Sequence, residues 1–317
     1  MGIIRKDFGP VGAFDAGNGT TILDVTRMDE ANYDFASFIE SSTQRKVGPI
    51  GVFDSGYGGL TVLRAIRKAL PQYDYLYLGD NARAPYGPRS FNIVYRFTLE
   101  AVRYLFDHGC QLVILACNTA SAKALRTIQQ RDLPEIDSTR RVLGVIRPTV
   151  ERIGEISRTG KIGVLGTPGT IQSKSYDIEI TKYNPGFEVY GQSCPLWAAI
   201  VEALEANGEG ADYFVKKDVD ALMAQCPDID TVILGCTHYP LLLDKIKKYL
   251  PSGVTVVEQG GIVADSLADY LQRHKDMDSR CTKGGTATYL TTEDVDKFAS
   301  LASVFLGESI EPNHIDL

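Results

Sequence analysis

Cys117 and Cys236 are the residues whose surroundings promise chemistry. Each follows a short apolar run, in Leu112-Val113-Ile114-Leu115-Ala116-Cys117-Asn118-Thr119 and in Val232-Ile233-Leu234-Gly235-Cys236-Thr237-His238. Such runs read as buried strands. A thiol just past a strand end faces the start of the next helix, where partial positive charge favours a thiolate and an anionic substrate. Taken singly, either cysteine reads as a buried structural thiol. Taken together, at equivalent places in two similar halves, they read as a pair facing one another across a cleft. A facing pair can take a proton from one side of a carbon and return one to the other, which is racemisation or epimerisation without a cofactor. That reaction needs a base on each face of a weakly acidic Cα–H, with only one of them deprotonated when a turnover begins. An unperturbed cysteine titrates at about 8.5, so a neighbour must help move its proton. Asp54 is placed to serve Cys117, and His238 to serve Cys236. Asp80, at the end of another strand, reads equally as a group near this chemistry and as a loop cap. Cys110, Cys194, Cys226 and Cys281 lack a comparable setting and read as structural.

The stretch Asp54-Ser55-Gly56-Tyr57-Gly58-Gly59 reads as a strand-to-helix turn whose glycines let the backbone approach a ligand closely. Thr61 stands where a dinucleotide fingerprint places its last glycine, and no Walker lysine follows, so the turn does not read as a nucleotide loop. In open α/β sheets, ligands bind beyond the carboxyl ends of the strands, which is where this turn and both cysteines fall.

The elements that must position these residues alternate between short apolar runs and amphipathic stretches from residue 48 onward, the pattern of a parallel sheet with crossover helices. Strands are expected at 49–53, 75–78, 112–116 and 141–146, and helices at 92–106 and 120–130. The pattern restarts at Lys161-Ile162-Gly163-Val164-Leu165-Gly166-Thr167, much as it began at Gly51-Val52-Phe53-Asp54. Similar offsets between the two openings and between the two cysteines suggest a duplication with a pseudo-twofold axis. Near the end, Ala287–Leu290 reads as a strand, followed by a helix capped by Thr292, carrying Phe298 and Phe305, and closed by Gly307. This tail is placed to complete the first sheet. The expected fold is α/β with two pseudo-symmetric domains, each a mainly parallel sheet flanked by helices, and the active site in the cleft between them. Residues 48–146 and 258–317 form the first domain and 147–257 the second. Residues 1–47, rich in Asp, Gly and Ser, read as an appended extension with a helix around Glu30–Glu40.

Composition narrows the classes. The 317 residues carry 33 Lys+Arg against 40 Asp+Glu, a net charge of −7, which offers no electrostatic footprint for nucleic acid or an anionic membrane. No apolar run approaches the roughly 18 residues of a spanning helix, and the start, Met1-Gly2-Ile3-Ile4-Arg5-Lys6, lacks a signal-peptide core, so the protein is expected in the cytoplasm. Six cysteines without a CxxC pair, and only four histidines, point to free thiols rather than a disulfide framework or structural zinc.

Several ordered blocks resemble the glutamate racemases of the cofactor-independent aspartate/glutamate racemase superfamily: Gly51–Leu60, Ala82–Gly87, Ala116–Thr119, Gly166–Thr170 and Leu234–Leu241, within a match from about Ile50 to Gly307. The resemblance implies interconversion of L- and D-glutamate, supplying D-glutamate for peptidoglycan, without metal or cofactor. It makes Cys117 and Cys236 the acid/base thiols, assisted by Asp54 and His238, with Asp80 and Glu202 nearby. It carries substrate contacts over to Asp54, Ser55, Pro85, Tyr86, Gly87, Asn118, Thr119, Thr237 and His238. It also implies a homodimer, and an extension that modulates activity through a peptidoglycan-precursor activator or subunit contacts. The chain departs from the family pattern at Asn81, Arg147 and Glu258-Gln259, which bears on packing and regulation rather than on reaction type. A racemase for aspartate or another acidic or cyclic amino acid would keep both thiols. A decarboxylase on this fold needs only one, and a binding or regulatory protein needs neither.

Overall fold

In the computed structural model, residues 47–317 are described together with Ile4–Lys6, Ala13–Asp15 and Thr21–Leu23. The chain separates into the units Met1–Arg45 and Lys46–Leu317. In the first, three short strands, β1 (Ile4–Lys6), β2 (Ala13–Asp15) and β3 (Thr21–Leu23), pair antiparallel in sequence order. The helix expected around Glu30–Glu40 lies outside the described residues.

The second unit holds two parallel sheets. The larger has six strands: β4 (Ile50–Asp54), β5 (Tyr75–Gly79), β6 (Leu112–Leu115), β7 (Arg141–Gly144), and, in the tail, β12 (Ala287–Thr291) and β13 (Pro312–His314). Their order is β13-β12-β5-β4-β6-β7. The smaller has four: β8 (Lys161–Gly166), β9 (Glu188–Ser193), β10 (Thr231–Gly235) and β11 (Thr255–Val257), in the order β11-β10-β8-β9. β4, β5, β6 and β10 are buried along their whole length, as expected of interior parallel strands covered on both faces, which is why they read as unbroken apolar runs. In each sheet the strand that opens the lobe lies beside the strand that leads to a cysteine. Phe53 of β4 is paired with Leu115 of β6, and Leu165 of β8 with Leu234 of β10. The two-lobed α/β architecture is therefore the one expected, with the cysteines at equivalent strand ends.

The tail enters the six-stranded sheet through β12, which pairs with β5. The helix that follows, Val295–Leu306, buries Phe298, Ala302, Phe305 and Leu306 and ends at Gly307, whose φ of 78° is the left-handed conformation glycine adopts without strain. Its cap is Asp294, which accepts from the Lys297 amide at 2.9 Å, and not Thr292. The Thr292 hydroxyl is instead drawn to the Asp80 carboxylate at 3.0 Å, a partner invisible in the local sequence. The helix expected at 120–130 also differs. It begins earlier, as Asn118–Lys123, breaks at Ala124, and passes through a wide turn at Ile128–Asp132 before Leu133–Asp137. The early start follows from Cys117, whose sulfur accepts from the Ala120 amide and caps the helix.

Candidate active site

The Cys117 thiol is buried at the end of β6. Its sulfur receives the Ala120 amide at 3.4 Å and shares a hydrogen bond with the Ser55 hydroxyl at 3.3 Å. Burial pushes its pKa up to about 12. The Asp54 charge adds to this, the Ser55 and Ala120 hydrogen bonds oppose it, and Cys236 lies near enough for its charge to contribute as well. Cys117 is thus held as a protonated thiol at neutral pH. Asp54 is fully buried, one carboxyl oxygen accepting from the Gly56 amide at 2.9 Å and the other left without a partner. Burial raises its pKa; the His238 charge and the Gly59 and Gly56 amides pull the other way. Ser55, rather than Asp54, is the side chain that hydrogen-bonds the first thiol.

The second thiol has a different neighbour. Cys236 follows β10, and its sulfur lies 3.8 Å from His238 Nδ1, while His238 Nε2 donates to Glu202 at 2.8 Å. Burial would lower the imidazole pKa, but the Cys236 and Glu202 partners outweigh it and raise it to about 10. The imidazole is thus biased toward its protonated form, with Nδ1 turned to the Cys236 sulfur and Nε2 to the Glu202 carboxylate. Glu202 arrives from the end of the Trp197–Glu202 helix, whose Trp197 ring packs on Tyr239 with centroids 4.8 Å apart.

The glycine turn joins the two thiols. A Cβ on Gly58 would stand 2.2 Å from Thr237 Oγ1 and 2.5 Å from His238 Nδ1, so only glycine lets this turn close on the second thiol's loop while Ser55 touches the first. Thr61 fastens the same contact, donating to Gly58 O at 2.8 Å, with its hydroxyl also 3.1 Å from Thr237 O. The tail supports it from behind. Phe305 meets the His238 ring edge-on at 5.4 Å, and Phe298 and Phe305 stack on Tyr57. Sequence reasoning missed Thr61, Phe305 and Tyr57 because nothing local marks a partner so far along the chain. Thr61 offered one signal, a hydroxyl where the glycine pattern breaks.

Other expected site residues fall into two groups. Thr119 belongs to a largely buried polar cluster, its hydroxyl 2.9 Å from that of Thr167 and 3.4 Å from that of Thr170, so hydroxyls from both lobes meet two residues from Cys117. The Gly166–Thr170 motif carried this signal, although neither threonine was singled out as a site residue. Gly87 borders the same cluster, its carbonyl accepting from Gly169 at 2.9 Å. Asp80, Tyr86 and Asn118 have their side-chain groups engaged by protein. Asp80 accepts from Arg83 and Thr292 and from the Tyr86 hydroxyl, which fixes the turn containing Pro85. Asn118 donates to Gln259 at 2.6 Å and accepts from Tyr176 at 2.7 Å. All six cysteines are free and buried. Among the described residues no group of His, Cys, Asp and Glu could hold a metal ion, and no helix is long and apolar enough to cross a membrane.

Two parallel-sheet lobes that each place one buried thiol just past a strand end define an α/β protein with paired buried thiols. Comparison with known proteins makes the assignment specific. Residues 50–267 match the family model for Asp/Glu/Hydantoin racemase, and the chain belongs to that family. It is 43% identical to a glutamate racemase of Ruegeria sp. (strain TM1040) over 269 residues, covering 80% of this chain and 95% of that one. The crystal structure of a Bacillus anthracis glutamate racemase superposes with a TM-score of 0.78 at 38% identity, covering 86% of this chain and 98% of the other. That of the Francisella tularensis enzyme in complex with D-glutamate gives 0.76 at 32% identity, with the same coverage.

Proposed function

We propose that this protein interconverts L- and D-glutamate by two-thiol acid/base catalysis and supplies D-glutamate for peptidoglycan. The observation that carries this reading is the unlike pair at equivalent strand ends: a thiol held protonated at Cys117 and a sulfur beside an imidazole biased toward its protonated form at Cys236. One thiol removes the Cα proton and the other donates to the opposite face of the planar carbanion, a role for which Cys117 is held protonated. The reverse turnover begins with the roles exchanged. The Ser55, Thr119 and Thr237 hydroxyls, with the hydroxyls of Thr167 and Thr170, hold the substrate's carboxylates and stabilise charge developing at Cα. Asp54 offers its unpartnered oxygen to the substrate's ammonium or to the first thiol's proton. Glu202 keeps His238 charged. Asp80 holds the Pro85-Tyr86-Gly87 turn in place, and Asn118 holds the first thiol's helix. The relatives named above support glutamate as substrate.

The test is purified protein with L-glutamate in deuterated water and no added cofactor, following D-glutamate and α-deuterium together. Deuterated D-glutamate is the expected product. Exchange with L-aspartate but not glutamate would move the substrate assignment and leave the mechanism. No exchange with either would overturn the proposal.

A further inference from the structure

Gln259 is a buried polar residue that the thiol chemistry leaves unexplained. It opens the Gln259–Arg273 helix. Its carbonyl oxygen accepts from Asn118 Nδ2 at 2.6 Å. Its amide donates to the Tyr176 hydroxyl at 2.9 Å, to Thr149 at 3.0 Å and to the Val145 carbonyl at 3.2 Å. Tyr176 in turn donates to Asn118 Oδ1 at 2.7 Å. Asn118, Gln259 and Tyr176 thus close a ring of three hydrogen bonds in which each group donates once to the next, with every member at most 4% exposed.

The ring's corners rest beside the two thiols. Asn118 is the residue after Cys117 and the first of the helix that Cys117 caps. The Tyr176 ring lies against Gly235, the residue before Cys236: a Cβ at Gly235 would stand 3.4 Å from Tyr176 Cε2. Asn118 belongs to the six-stranded lobe and Tyr176 to the four-stranded one, while Gln259 lies on the segment that returns from β11 to the first lobe. A buried, fully satisfied polar ring has one low-energy geometry, because breaking any link leaves a desolvated group unpaired. We infer that Gln259 and Tyr176 are positioning residues that fix the spacing of the two thiols across the substrate carbon.

This rests on the proton-transfer reading above and predicts a particular failure. Loosening the spacing leaves proton removal by the nearer thiol possible but impairs delivery from the farther one. Tyr176→Phe keeps the ring against Gly235 and removes its hydroxyl links; Gln259→Leu removes the other corner. Each is expected to lower kcat about 10- to 100-fold, with KM within about twofold. Deuterium in recovered, unconverted L-glutamate should rise relative to product formed. If folded variants keep the wild-type kcat, or lose kcat with an unchanged ratio of exchange to racemisation, the inference is overturned. If the wild-type protein itself neither exchanges nor racemises glutamate, the reaction reading falls first and this inference with it.

Discussion

The two thiols occupy matching places in matching lobes, yet their surroundings are opposite. Around Cys117 are a hydroxyl, a backbone amide and a buried carboxyl, an environment that retains the proton. Around Cys236 is an imidazole backed by a carboxylate and raised well above its ordinary pKa, to about 10. A symmetric pair would share its protons equally between the two sulfurs, whereas unlike neighbours bias them to one side. The matching strand ends supply equivalent positions. The neighbours differ, serine on one side and histidine on the other, so the two thiols sit in unlike electrostatic settings.

The comparison is broken most directly at the sulfurs. Cys117→Ser and Cys236→Ser are each expected to lower two-way racemisation by about 1,000-fold or more, read by circular dichroism of the interconverting enantiomers. Activity near wild type in both would end the two-thiol account. A smaller effect sharpens the asymmetry. His238 is raised from 6.5 to about 10 on folding, so it binds its proton more tightly in the folded chain than in the unfolded one. Its contribution to stability is complete below about pH 6.5 and is lost as pH rises toward 10. Urea midpoints at pH 6, 8 and 9.5 should fall more steeply for wild type than for His238→Asn, and the variant should lose about 100-fold in racemisation. Parallel midpoints would show that the histidine carries no such charge. The smallest effect is expected at Ser55→Ala, which removes one hydrogen bond from Cys117. A loss near 1 kcal/mol, or about fivefold in kcat, would place the hydroxyl as a tuner. A loss as large as that of Cys117→Ser would make it an obligatory proton relay.

Much of this was legible in the sequence because parallel strands buried on both faces leave continuous apolar runs, and each run ended at a residue with chemistry: Asp54, Asp80, Cys117, Cys236. The His238 pairing was legible because it is local. Contacts made between distant segments were not. Thr292 reads as a helix cap until Asp80 claims its hydroxyl across the fold. Asn118 reads as a substrate ligand, and its ties to Gln259 and Tyr176, made across the fold, leave no local mark. The break at Ala124 had no signal, since alanine is a strong helix former and the chain turns there for tertiary reasons.

The place of the tail in the first sheet also has a temporal meaning. Chains are made from the N-terminus, and domains generally fold as units during synthesis. The first lobe cannot do so here. β5 gains its outer neighbour only when Ala287–Thr291 has emerged, and the imidazole gains Phe305 later still. The second lobe, contiguous from β8 to β11, can complete its own sheet earlier, so on the ribosome the lobe earlier in sequence is the later one to finish. A nascent chain interrupted after Cys236 but before its last thirty or so residues would carry both thiols without the packing that supports one of them.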